Sequence, residues 1–279
     1  MSATVNPCLW FDGQAQEAAG FYASVFPDAV IVGDAGIMVT LRVADLELSL
    51  LNGGPEFKIN PAMSFFYSCA SAAEVDRLWA LLAPGGAEMI PLGTYPFARR
   101  YGWTADKFGV NWQLILHDQE PKQRAYPSLM FTGANCGRAE EAMSFYASVF
   151  EDAAIGDISR YGPGMEPDRE GAVNYSQFRL GGRWLAAMDS ARPHDFAFSE
   201  ADSLIVTCDD QAQIDRFWAR LSAGGSESQC GWLKDKFGLS WQVVPRVLGE
   251  LMSDPERARR VMPALLKMGK LDIATLEAQ

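Results

Sequence analysis

The side chains best placed to do chemistry are two glutamines. Gln113 closes the stretch WTADKFGVNWQ at Trp103–Gln113, Gln242 closes WLKDKFGLSWQ at Trp232–Gln242, and seven of the eleven positions are identical. Each stretch reads as an aromatic, a polar turn centred on Asp-Lys-Phe-Gly, and a short apolar strand holding Trp-Gln. Side chains alternate along a strand, so the Trp and the Gln face opposite sides. An amide set into an apolar strand needs a hydrogen-bond partner or a ligand.

The other reactive side chains are few. The two histidines, His117 and His194, are too few for a His-rich metal centre, and neither has a Ser or Cys at a spacing diagnostic of nucleophilic catalysis. His117, beside Asp118, reads as a solvated strand end, and His194, in the loop ARPHDF, as a surface residue. The five cysteines, Cys8, Cys69, Cys136, Cys208 and Cys230, are odd in number and form no CxxC, which fits reduced cytosolic thiols rather than a disulfide framework. Cys69 and Cys208 lie at equivalent places on apolar strands and read as buried structural thiols.

Hydrophobic content of 48% and charged content of 21% are those of a soluble globular protein. A net charge of −11 argues against nucleic acid as a partner. There is no apolar run long enough for a membrane span, and no basic segment ahead of an apolar one to act as a secretory signal. The expected location is the cytoplasm.

The elements that must position the glutamines occur twice. FYASVF at Phe21–Phe26 returns at Phe145–Phe150, and VDRLWALLAPGG at Val75–Gly86 returns as IDRFWARLSAGG at Ile214–Gly225. Order is kept, so the chain is a tandem duplication. It divides into a first domain at 1–120, a second at 121–245 and a helical tail at 246–279, with DQEPKQRAYP as the linker. Copy one reads as a strand at Cys8–Phe11, a helix at Gln14–Phe26, and strands at Val30–Val32, Ile37–Val43 and Leu46–Leu51. The second half reads as a strand at Ala62–Cys69, a helix at Ala72–Leu82 opened by a Ser71/Glu74 capping box, a strand at Ala87–Pro91, a loop rich in aromatics and arginines, and a strand at Asn111–Leu116. Each copy is therefore two βαβββ units. Neither unit buries its sheet alone, so the two are expected to fold over each other within a copy and leave a lined hollow.

Copy two inserts GPGMEPDREG at Gly162–Gly171 and shortens the aromatic loop from Ala87–Gly102 to Ser226–Gly231. The better site is thus expected in copy one. Trp10, Phe66, Tyr101, Trp103 and Trp112 supply aromatic surface there, and Gln113 and Ser64 the orienting polar groups, with Gln242 their counterpart in copy two. Arg99 and Arg100 would attract an anionic ligand. The competing reading makes the aromatics core and the arginines solvated. In the tail, Asp254-Pro255-Glu256 starts a helix whose apolar residues serve as a clasp across the copies, a homodimer contact, or a simple docked helix.

The stretches CLWFDGQAQEAAGFYASVFPDA, LLNGGPEFKINPAMSFF and PLGTYPFARRYGWTADKFGVNWQL resemble the PhnB-like branch of the vicinal-oxygen-chelate (glyoxalase/bleomycin-resistance) superfamily, a branch often labelled demethylubiquinone methyltransferase-like. The resemblance covers nearly the whole chain, once per copy. It implies an α+β fold of tandem glyoxalase-like domains with mixed, curved sheets. It also implies a divalent-metal site built from the first and last strands of each unit. Carried over, those positions fall near Pro7 or Cys8, and Pro127 or Ser128; at Ser64 and Ser203; at Glu47 and Trp184; and at Gln113 and Gln242. The histidines are gone. The resulting expectation is a metal-free pocket, without cofactor, for a small aromatic or anionic molecule. The second reading is a metal-dependent lyase, isomerase or dioxygenase using Glu47 and Gln113. No glycine-rich turn of the GxGxxG type stands in a βαβ context, so the label's methyl transfer finds no nucleotide-binding motif.

Overall fold

Local chemistry sets the ends of the elements. In copy one the order is β1 (Thr4–Phe11), α1 (Ala15–Val25), β2 (Ala29–Asp34), β3 (Met38–Val43) and β4 (Leu46–Asn52), then β5 (Met63–Cys69), α2 (Ala72–Leu82), β6 (Ala87–Tyr95), β7 (Ala98–Ala105) and β8 (Asn111–Leu116). Copy two gives β9 (Ala125–Phe131), α3 (Ala139–Val149), β10 (Ala154–Arg160), β11 (Val173–Leu180) and β12 (Arg183–Asp189), then β13 (Asp202–Cys208), α4 (Gln211–Leu221), β14 (Ser226–Glu227), β15 (Trp232–Lys234) and β16 (Ser240–Pro245). The tail forms α5 (Val247–Ser253), α6 (Pro255–Leu265) and α7 (Ile273–Glu277). The computed structural model describes residues 3–117 and 121–279.

The Ser71 box forms as expected: Ser71 Oγ accepts from Glu74 N at 3.1 Å, and the Glu74 carboxylate accepts from Ala70 N at 2.8 Å. Helix α1 has no cap of its own. Its first amide, Ala15 N, is instead taken by Asn52 Oδ1 at 2.9 Å, and Asp189 does the same for Ala139 N of α3 at 3.1 Å. Gly86 and Gly225 recur because a Cβ there would sit 1.9 Å from the carbonyl oxygens of Ala105 and Lys234.

The Asp-Lys-Phe-Gly turns are structural. Asp106 accepts from Phe108 N at 2.8 Å, Val110 N at 3.1 Å, Tyr22 Oη at 2.7 Å and Trp112 Nε1 at 3.0 Å. Asp235 repeats the cradle with Phe237 N, Leu239 N, Tyr146 Oη and Trp241 Nε1. Two motifs repeated far apart in sequence, FYASVF and DKFG with its Trp, are one hydrogen-bonded network in space. Burial pushes both carboxyls above the ordinary aspartate value, and the donors around them oppose that rise.

The strands form two eight-stranded sheets, ordered β14-β15-β16-β13-β1-β4-β3-β2 and β10-β11-β12-β9-β5-β8-β7-β6. Within each unit the first and last strands run parallel, as in β1 with β4 and β5 with β8, and the remaining pairs are antiparallel, so both sheets are mixed. Each sheet takes one unit from each copy. The joins are antiparallel: β1 with β13, from Thr4 opposite Thr207 to Leu9 opposite Asp202, and β5 with β9, from Met63 opposite Leu129 to Tyr67 opposite Ala125.

This corrects the expectation that the units of one copy enclose the hollow. Within a copy they meet back to back through their helices. A continuous apolar core takes residues from α1 to α4 and from both sheets. Tyr22 of α1 reaches across it to Trp112 of β8, with ring centroids 5.3 Å apart. Trp112 is fully buried there, as core rather than pocket wall. The opposite face of the second sheet carries a hollow.

Two further expectations change, and the tail takes one of the forms foreseen for it. The aromatic loop of copy one is a β-hairpin, β6–β7, whose register shifts repeatedly. The end of the linker is strand: Ala125–Pro127 open β9, and Arg124 is held by Asp28 and Glu74, each at 2.7 Å. Asp118, like Gln119 and Glu120, lies outside the described residues. The tail is a docked helical segment on copy two: Cys230 N and Gly231 N donate to the carbonyls of Met268 and Gly269, and Gln211 Nε2 to that of Leu271.

Candidate ligand cavity

The second sheet curls around a cavity of about 740 Å³. Copy one supplies Phe66 of β5, Tyr101 and Trp103 of β7, Gln113 and Ile115 of β8, and Phe97 at the hairpin tip. Copy two supplies Tyr126 and Met130 of β9, Tyr175 of β11, Met188 of β12, and Arg192, His194 and Phe196 in the loop beyond it. The strand alternation explains the selection. Trp112 and Leu114 face the helices, so Gln113 and Ile115 face the hollow.

Polar groups are few and mostly committed. Tyr101 Oη donates to Gln113 Oε1 at 2.5 Å, and Gln113 Nε2 donates to Ser64 Oγ at 2.8 Å. Tyr126 and Tyr175 bond through their hydroxyls at 3.0 Å. His194 Nε2 lies 2.8 Å from Ser190 Oγ. Burial lowers the His194 pKa and raises that of Tyr101, so both favour their neutral forms. Asp189 at the rim is spent on the backbone, accepting from Gly137, Ala139 and Val173. Opposite Ser64 in the β5–β9 ladder, Ser128 Oγ is buried with no partner among the described residues.

The sequence-derived site residues divide between two places. Ser64, Phe66, Tyr101, Trp103 and Gln113 come together around this cavity. Trp10 and Gln242 belong to the other sheet. There Trp10 Nε1 donates to Gly54 O at 2.7 Å, its ring meets Phe57 and Trp232 edge-on, and Gln242 Nε2 donates to Ser203 Oγ at 3.0 Å. Arg99 and Arg100 do not line the cavity, and Arg100 pairs with Asp76 on α2 at 2.6 Å. His117 and His194 line the cavity, in place of the solvated strand end and surface loop expected of them. Sequence reasoning missed the wall from copy two, above all Tyr175, Met188 and His194.

The inherited metal positions do not fit a metal. Glu47 lies on β4 of the first sheet and Gln113 on β8 of the second, so they cannot share an ion. In the second sheet the inherited positions carry two serine hydroxyls, Ser64 and Ser128, and the Gln113 amide, whose oxygen already accepts from Tyr101. In the first sheet Cys8 joins Ser203 and Gln242, and burial pushes its thiol up to about 11, away from the thiolate a metal needs. Among the described residues no three His, Cys, Asp or Glu side chains gather as a metal site would require.

Two mixed eight-stranded sheets, each built from paired βαβββ units and one holding a hollow on its concave face, define a tandem protein of the vicinal-oxygen-chelate fold. Glyoxalase I from Zea mays shares it at a TM-score of 0.59, with 11% identity over 89% of this chain and 95% of that one. Residues 3–115 and 123–244 match the family described as 3-demethylubiquinone-9 3-methyltransferase, and the chain belongs to that family. A PhnB protein from Bacillus cereus is 35% identical over 40% of this chain and 98% of its own, with a TM-score of 0.38. A comparison with curated proteins finds no match. No helix among the described residues is long and apolar enough to cross a membrane.

Proposed function

We propose that the protein binds a small, largely apolar molecule with an aromatic part in the cavity of the second sheet, and does so without a resident metal. The observation that carries this reading is the cavity itself: about 740 Å³, walled largely by aromatic and aliphatic side chains, with the polar relay from Tyr101 to Gln113 to Ser64 on one side. Size and lining are those of small-molecule sites. Methyl transfer, which the family's description names, finds no support in the fold, since neither sheet is a doubly wound parallel sheet with a nucleotide crevice at a switch point.

The test is native mass spectrometry and elemental analysis of protein purified without chelators, with Trp103 fluorescence as the binding readout. The expected result is a substoichiometric metal content and saturable quenching by aromatic probes that is lost in Trp103→Ala. Stoichiometric Zn, Ni, Mn or Fe, released by Gln113→Ala, would instead establish a metal enzyme of the glyoxalase type.

A further inference from the structure

The phenols around the cavity differ in what they have left to offer. Tyr126 and Tyr175 satisfy each other, and Tyr161 donates to the Asp189 carbonyl at 3.0 Å. Tyr101 gives its proton to Gln113, and no described residue donates to its oxygen in return. Gln113 spends one N–H on Ser64, and an amide nitrogen carries two. A free acceptor and a spare donor therefore stand on adjacent strands, β7 and β8, in the cavity wall. Burial keeps the Tyr101 phenol protonated, so it has a proton to donate to the Gln113 oxygen. The other sheet keeps the Gln242-to-Ser203 bond but has no tyrosine beside it, because Cys230 stands in copy two where Tyr101 stands in copy one.

We propose, resting on the reading of the cavity as a small-molecule site, that Tyr101 and Gln113 select a hydroxyl borne on an aromatic ring. The ligand O–H donates to the Tyr101 oxygen, the ligand oxygen accepts the spare Gln113 N–H, and the ring lies among Phe66, Phe97 and Trp103. An aryl ether fills the same space but has no proton to give. A site built to pair a hydroxyl discriminates against analogues that leave its buried groups unpaired.

Fluorescence titration of the full chain with 2-naphthol and 2-methoxynaphthalene tests this, using wild type, Tyr101→Phe and Gln113→Met, each checked for folding by its melting curve. In wild type the naphthol binds about tenfold more tightly than its methyl ether, the value of roughly one net hydrogen bond. In Tyr101→Phe that preference falls to about twofold or less while methoxynaphthalene binding is kept, as expected when only a polar contact is removed. Gln113→Met narrows the preference in the same direction. Equal binding of the two probes by wild type, or a preference that survives in both variants, overturns the proposal and leaves the cavity reading standing. Binding of neither probe overturns both.

Discussion

The two concave faces of the molecule began alike and now differ. On the second sheet the hairpin β6–β7 runs nine and eight residues and carries Tyr95 and Phe97 at its tip, stacked 5.6 Å apart, beside an open hollow. On the first sheet the corresponding strands, β14 and β15, are two and three residues long. There the tail takes the missing hairpin's place. Val244, the counterpart of cavity-lining Ile115, packs against the tail cluster of Leu251, Val261, Leu271 and Leu276. Trp10 and Trp232 close on each other with centroids 6.0 Å apart. The glutamine–serine bond persists on both faces. That bond is therefore a scaffold feature, and the proposed binding depends on what surrounds it.

This contrast can be broken or sharpened by measurement. The largest effects are expected where the copies remain identical. Asp106→Ala and Asp235→Ala each strip the acceptor from four buried donors, and each is expected to cost about 3–5 kcal/mol in chemical denaturation. A large inequality between them would show that the two cradles are not equivalent.

Next comes the filled face. Leu271 is fully buried against Gly231, so Leu271→Ala is expected to cost about 2–4 kcal/mol locally. Amide exchange should accelerate in α5–α7 and leave the cavity sheet unchanged. Acceleration in the cavity sheet would mean that the tail supports both faces.

For ligand, Trp103→Ala is expected to lose about 2 kcal/mol or more of affinity, typical of a buried aromatic anchor, and Trp232→Ala to lose none. Equal losses would count against a single working hollow.

The subtlest contrast is in pH. Asp202 on β13 is fully buried, with one bond from Asn60 N at 3.2 Å and Oδ1 without a partner among the described residues, and desolvation raises its pKa well above the ordinary aspartate value. The counterpart position on the other sheet is Met63. A raised folded-state pKa gives a contribution to stability that is present below the ordinary aspartate range and lost as pH rises through the raised value. Wild type should therefore lose stability over that window. Asp202→Asn should remove this part of the slope, and an unchanged slope would assign it to other groups.

Much of this was legible in the sequence, and the failures share a physical cause. The duplication, the βαβββ units and α2 with its Ser71 cap follow from periodicity and capping chemistry. Gln113 was found because an amide in an apolar strand has to be satisfied, and Tyr101 and Ser64 satisfy it. The pairing of units across copies was not legible. The joins β1–β13 and β5–β9 are backbone ladders, and every residue but proline brings the same donor and acceptor to them. Units repeated in both copies cannot say by pattern which neighbour they choose. Tyr175, Met188 and His194 were missed for that reason. The β6–β7 hairpin was hidden by Pro91, Gly93 and its register shifts, which interrupt the alternation that marks a strand.

The cross-copy joins carry a consequence for how such a molecule can change. If two separate, identical subunits paired in this way, rotational symmetry would make their hollows identical, and any lost hairpin would be lost twice. Carrying both copies in one polypeptide breaks that constraint. Mutations can then seal one chamber and tailor the other, although each chamber still has walls from both ancestral halves.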